Sequence, residues 1–293
     1  MKHFALKNKH PHSYFEGYYV RFHNDTFSYA FIFAISKHPS DPHAFLQIFD
    51  GINHKNTYIR YETKSFYDDG ETLHLGPNKL SEHKLMIATE ALKLTASFDD
   101  VISPEKSAMG YFRFLPLECF QEVLMLDGKL NGELIVNDQS HPIEAKCYME
   151  KTYGRQFPKC WFWIQANRFD GPISLSTGGG DIPLPLSKRH KFGFYAFLRV
   201  GEKIYRFGTF NRAKIDIENM PPYDIVILKG PYRLRMNLKP GKTTLLKGPH
   251  KGGKMTLDVP ESLEAVIRVR LYKHKDLLLD VTSRNTGMEW MYA

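Results

Sequence analysis

Apolar and polar residues alternate with a period of two through residues 44–49, 57–62, 84–88, 91–98, 129–136, 192–200, 202–210, 223–228, 232–238, 263–272 and 276–282. Successive side chains of an extended chain point to opposite faces, so each segment reads as a β-strand with one face toward a core. Turn chemistry separates them at short intervals: Asp69-Gly70, Gly76-Pro77-Asn78, Asp127-Gly128, Val200-Gly201-Glu202, Lys239-Pro240-Gly241 and Gly252-Gly253. Short strands joined by tight turns predict an all-β, antiparallel protein. Residues 116–126 form the one stretch whose apolar spacing fits a short helix.

The pattern then repeats. An offset of 134 residues aligns Tyr14 with Tyr148, Glu16 with Glu150, Tyr19 with Tyr153 and Arg21 with Arg155, and sets Phe27 and Tyr29 on Trp161 and Trp163. Each copy is an aromatic-rich strand, a loop and a second aromatic strand. The simplest reading is two similar β domains, residues 1–140 and 141–293, joined through Asn137-Asp138-Gln139 and His141-Pro142. Glu16 and Glu150 then occupy equivalent places.

Composition bounds the class. With 42% hydrophobic residues the chain can fill two cores, and its longest apolar run, residues 29–35, falls far short of the ~18 residues a membrane helix needs. The basic start lacks the apolar stretch of a secretory signal, which predicts a cytoplasmic protein. Three cysteines without CxxC spacing, Cys119, Cys147 and Cys160, fit a reducing compartment.

Charge is distributed unevenly. Residues 1–150 hold 15 Lys and Arg against 20 Asp and Glu, and residues 151–293 hold 25 against 12. Lys229, Arg233, Arg235, Lys239, Lys242, Lys247, Lys251 and Lys254 fall in one stretch without an acid. Clustered cations attract phosphates and anionic headgroups, so residues 229–254 are a candidate contact for an anionic membrane surface; the plainer reading is a set of solvated hairpin loops. With no recognition helix, zinc spacing or RNP-like strand, the stretch argues against nucleic acid.

Candidate chemistry is densest in residues 148–169. On a strand, Trp161, Trp163, Gln165 and Asn167 share one face, and Phe162, Ile164 and Ala166 the other. Indole area with amides beyond it suits a pocket for a hydrophobic small molecule with a polar head. The competing reading is a barrel wall whose tryptophans plug the core. Glu16 and Glu150 are both flanked by aromatic residues; desolvation there disfavours the charged carboxylate and makes each a candidate proton donor. The alternative pairs them with Arg21, Lys151 or Arg155 as structural ion pairs.

Other patterns fail on context. Gly248-Pro-His-Lys-Gly-Gly-Lys254 fits G-x4-G-K, but Met255 follows where Ser or Thr is required, and a strand follows where a helix is required, so it reads as a hairpin turn. Gly178-Gly179-Gly180 precedes Asp-Ile-Pro and reads as a place of close backbone approach or a bulge. Neither G-x-S-x-G nor H-E-x-x-H occurs, and the histidines are scattered, so no metal or cofactor is expected.

These residues resemble the tocopherol cyclase family. The points of contact are Tyr14-Phe-Glu-Gly-Tyr-Tyr19, Met149-Glu-Lys-Thr-Tyr-Gly154 with Phe157-Pro158, Trp161-Phe-Trp-Ile-Gln-Ala-Asn167, Leu175-Ser-Thr-Gly-Gly-Gly180, Leu246-Lys-Gly-Pro249 and Leu279-Asp-Val-Thr-Ser-Arg284. The resemblance implies two lipocalin-like antiparallel β-barrels related to carotenoid hydratases. It also implies an acid-catalysed ring closure, in which an enzyme acid protonates a prenyl double bond and a phenol oxygen captures the cation. By this resemblance Glu16 and Glu150 are candidate acids, and Tyr18, Tyr19, Tyr153, Trp161, Trp163, Gln165 and Asn167 are candidates to hold a prenylated quinol. A lipocalin-like carrier that binds such a ligand without chemistry is the alternative.

Overall fold

The computed structural model describes residues 5–7, 11–183 and 190–292. Among them, one antiparallel sheet is built from β1 (Phe15–His23), β2 (Ser28–Ser36), β3 (His43–Asp50), β4 (Lys55–Tyr61), β5 (Phe66–Asp68), β6 (Thr72–Leu75), β7 (Asn78–Ser81), β8 (Lys84–Ala88), β9 (Leu92–Ile102), β10 (Cys119–Val136) and β11 (Gln139–Gly154). Their order is β4-β3-β2-β1-β11-β10-β9-β8-β7-β6-β5. The second sheet uses β12 (Trp161–Ala166), β13 (Ile173–Pro183), β14 (His190–Val200), β15 (Lys203–Gly208), β16 (Lys214–Glu218), β17 (Tyr223–Lys229), β18 (Tyr232–Lys239), β19 (Thr244–Pro249), β20 (Met255–Lys273) and β21 (Asp276–Met291). Its order is β15-β14-β13-β12-β21-β20-β18-β17-β16, with β19 beside β20.

Both orders follow one plan. A four-strand meander starts from a strand, β1 or β12, that also pairs with the last strand of its sheet, β11 or β21. The all-β class and the duplication are therefore present, but the offset of 134 does not describe the duplication. β1 corresponds to β12, whereas residues 148–154 lie in β11, which pairs with β1 in the register Glu16↔Tyr153, Tyr18↔Lys151 and Tyr19↔Glu150. Glu16 and Glu150 stand on neighbouring strands of one sheet rather than at equivalent places of two. What the offset detects is a local Tyr-x-Glu spacing that puts phenol and carboxylate on the same side of a strand. Tyr14 Oη donates to Glu16 Oε2 at 3.0 Å, and Tyr148 Oη to Glu150 Oε2 at 2.5 Å.

The chain divides into two compact units. Unit 1 is Met1–Ser103, Gln121–Phe157 and Lys247–Leu257; unit 2 is Pro104–Phe120, Pro158–Leu246 and Asp258–Ala293. Residues 141–157 and 247–257, which a boundary at residue 140 gives to the second domain, thus belong to unit 1. Gln47 holds the later segment there: its Oε1 accepts from the Lys247 amide at 2.8 Å, and its Nε2 donates to the Lys247 carbonyl at 3.3 Å. Ser36 Oγ also donates to the Gly253 carbonyl at 2.8 Å.

Burial explains the curvature. In unit 1, Leu46 and Ile48 of β3 and Leu73 and Leu75 of β6 share one core with Val20, Phe33, Leu94 and Leu130. Those strands stand near opposite ends of the sheet order, so the sheet curls around its apolar face. Unit 2 does the same, with Leu198 of β14 and Ile227 of β17 in one core beside Phe162, Ile164 and Val269. Most outer strands bury one face, as in β9, where Leu92, Leu94 and Ala96 are buried and Lys93 and Thr95 exposed. By contrast, β1 and β12 are buried on both faces. Among the described residues no helix is long and apolar enough to cross a membrane.

Two local expectations change. Residues 119–126 are the start of β10 rather than helix, because Leu124 and Met125 are recruited into the unit 1 core and pairing overrides the weak helical spacing. Asp127-Gly128 is not a turn between strands but lies inside β10, at a register shift against β9. The Gly-rich stretch reads as expected: it lies in β13 with regular pairing, and a Cβ at Gly179 would meet Phe192 at 2.8 Å and Phe162 at 2.9 Å.

Gly132 of β10 provides a direct test of the β9–β10 packing. It pairs with Ala96, and a Cβ there would lie 2.1 Å from the Thr95 carbonyl oxygen and 2.6 Å from Ala96 Cα. Backbone cannot yield as a flexible side chain can. Gly132→Ala is expected to cost about 3 kcal/mol, at the upper end of overpacking effects, read from the midpoint of urea unfolding.

Candidate functional site

Because β1 and β11 alternate in phase, their paired residues divide between two faces. Glu16, Tyr18, Lys151 and Tyr153 lie on the side of the unit 1 core, while Tyr19, Arg21, Tyr148 and Glu150 lie on the opposite side. The two candidate acids therefore stand back to back across one sheet.

On the core side, Lys151 Nζ is 2.5 Å from Glu16 Oε1, with both side chains essentially inaccessible. The ammonium also donates to Tyr18 Oη at 2.8 Å and to the Ala5 carbonyl at 2.9 Å. Glu16 Oε1 accepts from the Lys7 amide at 2.7 Å, and its Oε2 from Tyr14. Both oxygens of this carboxyl are engaged by donors, one of them an ammonium. Burial pushes the Lys151 ammonium below its ordinary value, and the Glu16 charge opposes that shift; burial pushes the Tyr18 and Tyr14 phenols up. The geometry at Glu16 is that of the ion-pair reading, with Lys151 as the partner. Tyr18 and Tyr153 belong to this cluster, Tyr153 donating to Glu122 Oε1 at 3.1 Å.

On the other face, Glu150 is buried and its Oε2 accepts from Tyr148 Oη at 2.5 Å and from Gln121 Nε2 at 2.9 Å. Tyr19 is its direct cross-strand neighbour, and the fully buried Arg21 shares the face. Of the candidate set in unit 1, the structure brings Glu150 and Tyr19 together and separates them from Glu16, Tyr18 and Tyr153. Tyr148 and Gln121 were not singled out from sequence, although the Tyr-x-Glu spacing carries the signal for Tyr148.

In unit 2 the faces of β12 fall as period two predicts, and the core-plug reading of the tryptophans fails. Phe162, Ile164 and Ala166 enter the core, while Trp161, Trp163 and Gln165 turn away from it and are still buried, as is Asn167. Trp161 Nε1 donates to Glu289 Oε2 at 2.7 Å. Register extends this face across the sheet, with Trp163 opposite both Gly178 and Glu289, Gly178 opposite Tyr195, and Glu289 opposite Glu261. Glu289 and the fully buried Glu261 are functional candidates that sequence reasoning missed. Nothing in the spacing of residues 261 and 289 reveals that β20 and β21 set them side by side.

Unit 1 also holds an open cavity of about 1140 Å³, walled by Tyr29, Ile48, Ile59, Tyr61, Leu92 and Val136 with charged residues at its rim, including Asp50 and Lys93. Among the described residues no group of three or more His, Cys, Asp or Glu is placed to hold a metal ion. The basic stretch is partly neutralised: Arg235 bonds Asp224 at 2.6–3.0 Å from across the β17–β18 hairpin, and Arg233 lies 4.3 Å over the Tyr272 ring. Residues 247–254 of that stretch pack in unit 1 and residues 229–242 in unit 2.

Two curled antiparallel sheets on one plan place the chain among proteins of known structure. It superposes on a Nitrosomonas europaea protein solved as "putative AttH" with a TM-score of 0.60 and 12% identity, covering 100% of this chain and 96% of that one. CghA bound to Sch210972 matches with a TM-score of 0.60 and 9% identity, over 96% and 89% of the two chains. At such identities these likenesses define the fold. The chain belongs to the tocopherol cyclase-like family, whose model matches residues 86–290. The Oryza sativa subsp. japonica protein named "Probable tocopherol cyclase, chloroplastic" is 28% identical over 113 residues, 37% of this chain and 24% of that protein. The match thus spans about a quarter of that relative's length.

Proposed function

We propose that the protein is an acid-catalysed cyclase or hydratase of an isoprenoid alkene, acting on a prenylated quinol, with Glu150 as the proton donor. The observation that carries this reading is a buried carboxyl turned away from the core and oriented by Tyr148 and Gln121. In the reaction the Glu150 carboxyl gives its proton to the less substituted alkene carbon, leaving a tertiary cation. The phenol oxygen bonds to that cation and returns its own proton to the carboxylate, so acid and charge are restored; in a hydratase, water takes the place of the phenol. Tyr19 presents an aromatic side chain beside the carboxyl. Unit 2, taken by itself, offers a second face suited to a ligand with an apolar chain and a polar head, in the indoles of Trp161 and Trp163 and the amides of Gln165 and Asn167.

Incubation with prenylated quinols is expected to yield a chromanol or a tertiary alcohol. Trp163→Ala is expected to weaken ligand binding by about 1–3 kcal/mol, followed by quenching of the remaining tryptophan fluorescence. A specific observation favours a second reading, a carrier: the open cavity of about 1140 Å³ in unit 1 is lined by apolar residues such as Ile48, Ile59 and Leu92 together with polar ones such as Asp50 and Lys93, and by neither Glu16, Glu150 nor a tryptophan. Saturable quinol binding with no product, insensitive to Trp163→Ala, would establish the carrier and remove the enzyme.

A further inference from the structure

The free edge of the unit 2 sheet carries a different chemistry. β15 pairs only with β14 along the sheet order. Beside it lies a cavity of about 510 Å³ lined by Lys106, Lys203, Arg206 and Lys229, with Tyr205 and Tyr232, and among the described residues no acidic side chain lines it. Outside the lining, the well-exposed Glu105 carboxylate lies 3.7 Å from Arg206.

Two of the lysines have specific contacts. Lys229 Nζ donates to the Arg206 carbonyl at 2.9 Å, and Asn211 Nδ2 donates to the same oxygen at 3.0 Å. Lys203 Nζ lies 4.4 Å over the Tyr205 ring and 5.8 Å over Tyr232, and the two rings meet edge to face at 5.4 Å. Arg206 Nε is buried with no hydrogen-bond partner among the described residues. Burial, and secondarily the charge of Arg206, push the Lys229 ammonium down.

We propose that this cavity is an anion site that takes a phosphate or diphosphate group, either on a soluble ligand or on a lipid headgroup. A guanidinium fork and several ammonium donors match tetrahedral phosphate oxygens, and one doubly charged group offsets repulsion that no side chain in the cavity relieves. Of the long basic stretch in residues 229–254, Lys229 alone lines this cavity; the other three cations come from residues 106, 203 and 206. None of its lining residues belongs to the Glu150 or Trp163 faces, and it does not rest on the cyclase reading.

The test titrates the full-length protein with inorganic pyrophosphate by calorimetry and measures flotation with vesicles of phosphatidylcholine containing phosphatidic acid. Binding of at least one probe is expected, weakened about tenfold or more in Lys203→Gln and in Lys229→Gln, and retained in Lys203→Arg. The exposed Lys275→Gln, outside both the cavity and the basic stretch, is expected to leave it unchanged. Pyrophosphate binding without flotation assigns the site to a soluble phosphate, and flotation lost in Lys203→Gln assigns it to a headgroup. Failure of both probes to bind, or equal losses in Lys275→Gln and Lys203→Gln, overturns the proposal. Because Lys203 is exposed on an edge strand, that variant keeps the test informative if Lys229→Gln misfolds.

Discussion

Replacing Lys151 by methionine is expected to destabilise the protein by about 3–5 kcal/mol, the largest loss of any single change considered for unit 1. The ammonium sits at the meeting point of Glu16, Tyr18 and the Ala5 carbonyl, in a place with no accessible surface. Its removal leaves a buried carboxylate without the cation 2.5 Å away, and that uncompensated charge dominates the cost. Glu16→Leu alone should be costly for the converse reason. The double variant Glu16→Leu/Lys151→Met should lose far less than the sum, since removing both charges removes both desolvation penalties; the phenols of Tyr14 and Tyr18 then account for a residue of about 1–3 kcal/mol. Urea unfolding of the four proteins measures the coupling. Additive losses would show that Glu16 and Lys151 do not act as a pair. The N-terminal segment provides a second readout, because Ala5 and Lys7 are tied to this cluster and Leu6 to Asp68 at 3.1 Å. Faster proteolysis near residue 7 should accompany Lys151→Met.

Local alternation made the strands legible, while long-range pairing stayed hidden. Period two correctly divides β12 into a core face of Phe162, Ile164 and Ala166 and an opposite face of tryptophans and amides. The same rule, applied to a pair of strands, would have separated Glu16 from Glu150 had the pairing of β1 with β11 been known. No signal in the chain announces a partner more than 100 residues away, and the repeated Tyr-x-Glu spacing imitated a domain repeat. The two-domain reading rested on the offset of 134 residues and not on the correspondence of β1 with β12, and its boundary missed residues 247–257, which are tied to unit 1 by the side chains of Gln47 and Ser36. The acid-free stretch at residues 229–254 looked unpaired for a related reason: Asp224 meets Arg235 across a hairpin, a distance that a run of charges in sequence does not register. Of the catalytic candidates, aromatic flanking identified burial for both glutamates and could not say which one a lysine would meet.

Glu150→Gln is expected to lower turnover of a prenylated quinol by about 10²–10⁴-fold while leaving ligand affinity within about a few-fold. Glutamine keeps the volume and can still accept from Tyr148 and Gln121, so the hydrogen-bonded frame at 2.5 and 2.9 Å has partners in the variant. What it lacks is the proton that must reach the alkene carbon. Loss confined to kcat is the signature of an interaction made only in the transition state, whereas a structural role would appear as lost stability or weakened binding. Tyr148→Phe separates the two parts of the frame: removing the phenol should shift the pH dependence of kcat and cost less than Glu150→Gln, because Tyr148 orients the acid without supplying the transferred proton. Chromatography of the chromanol or alcohol product, with quenching titrations run on the same preparations, measures both quantities. Turnover retained in Glu150→Gln would transfer the acid's role away from β11, and the next residues to test are Glu261 and Glu289, the cross-strand carboxyls beside Trp163.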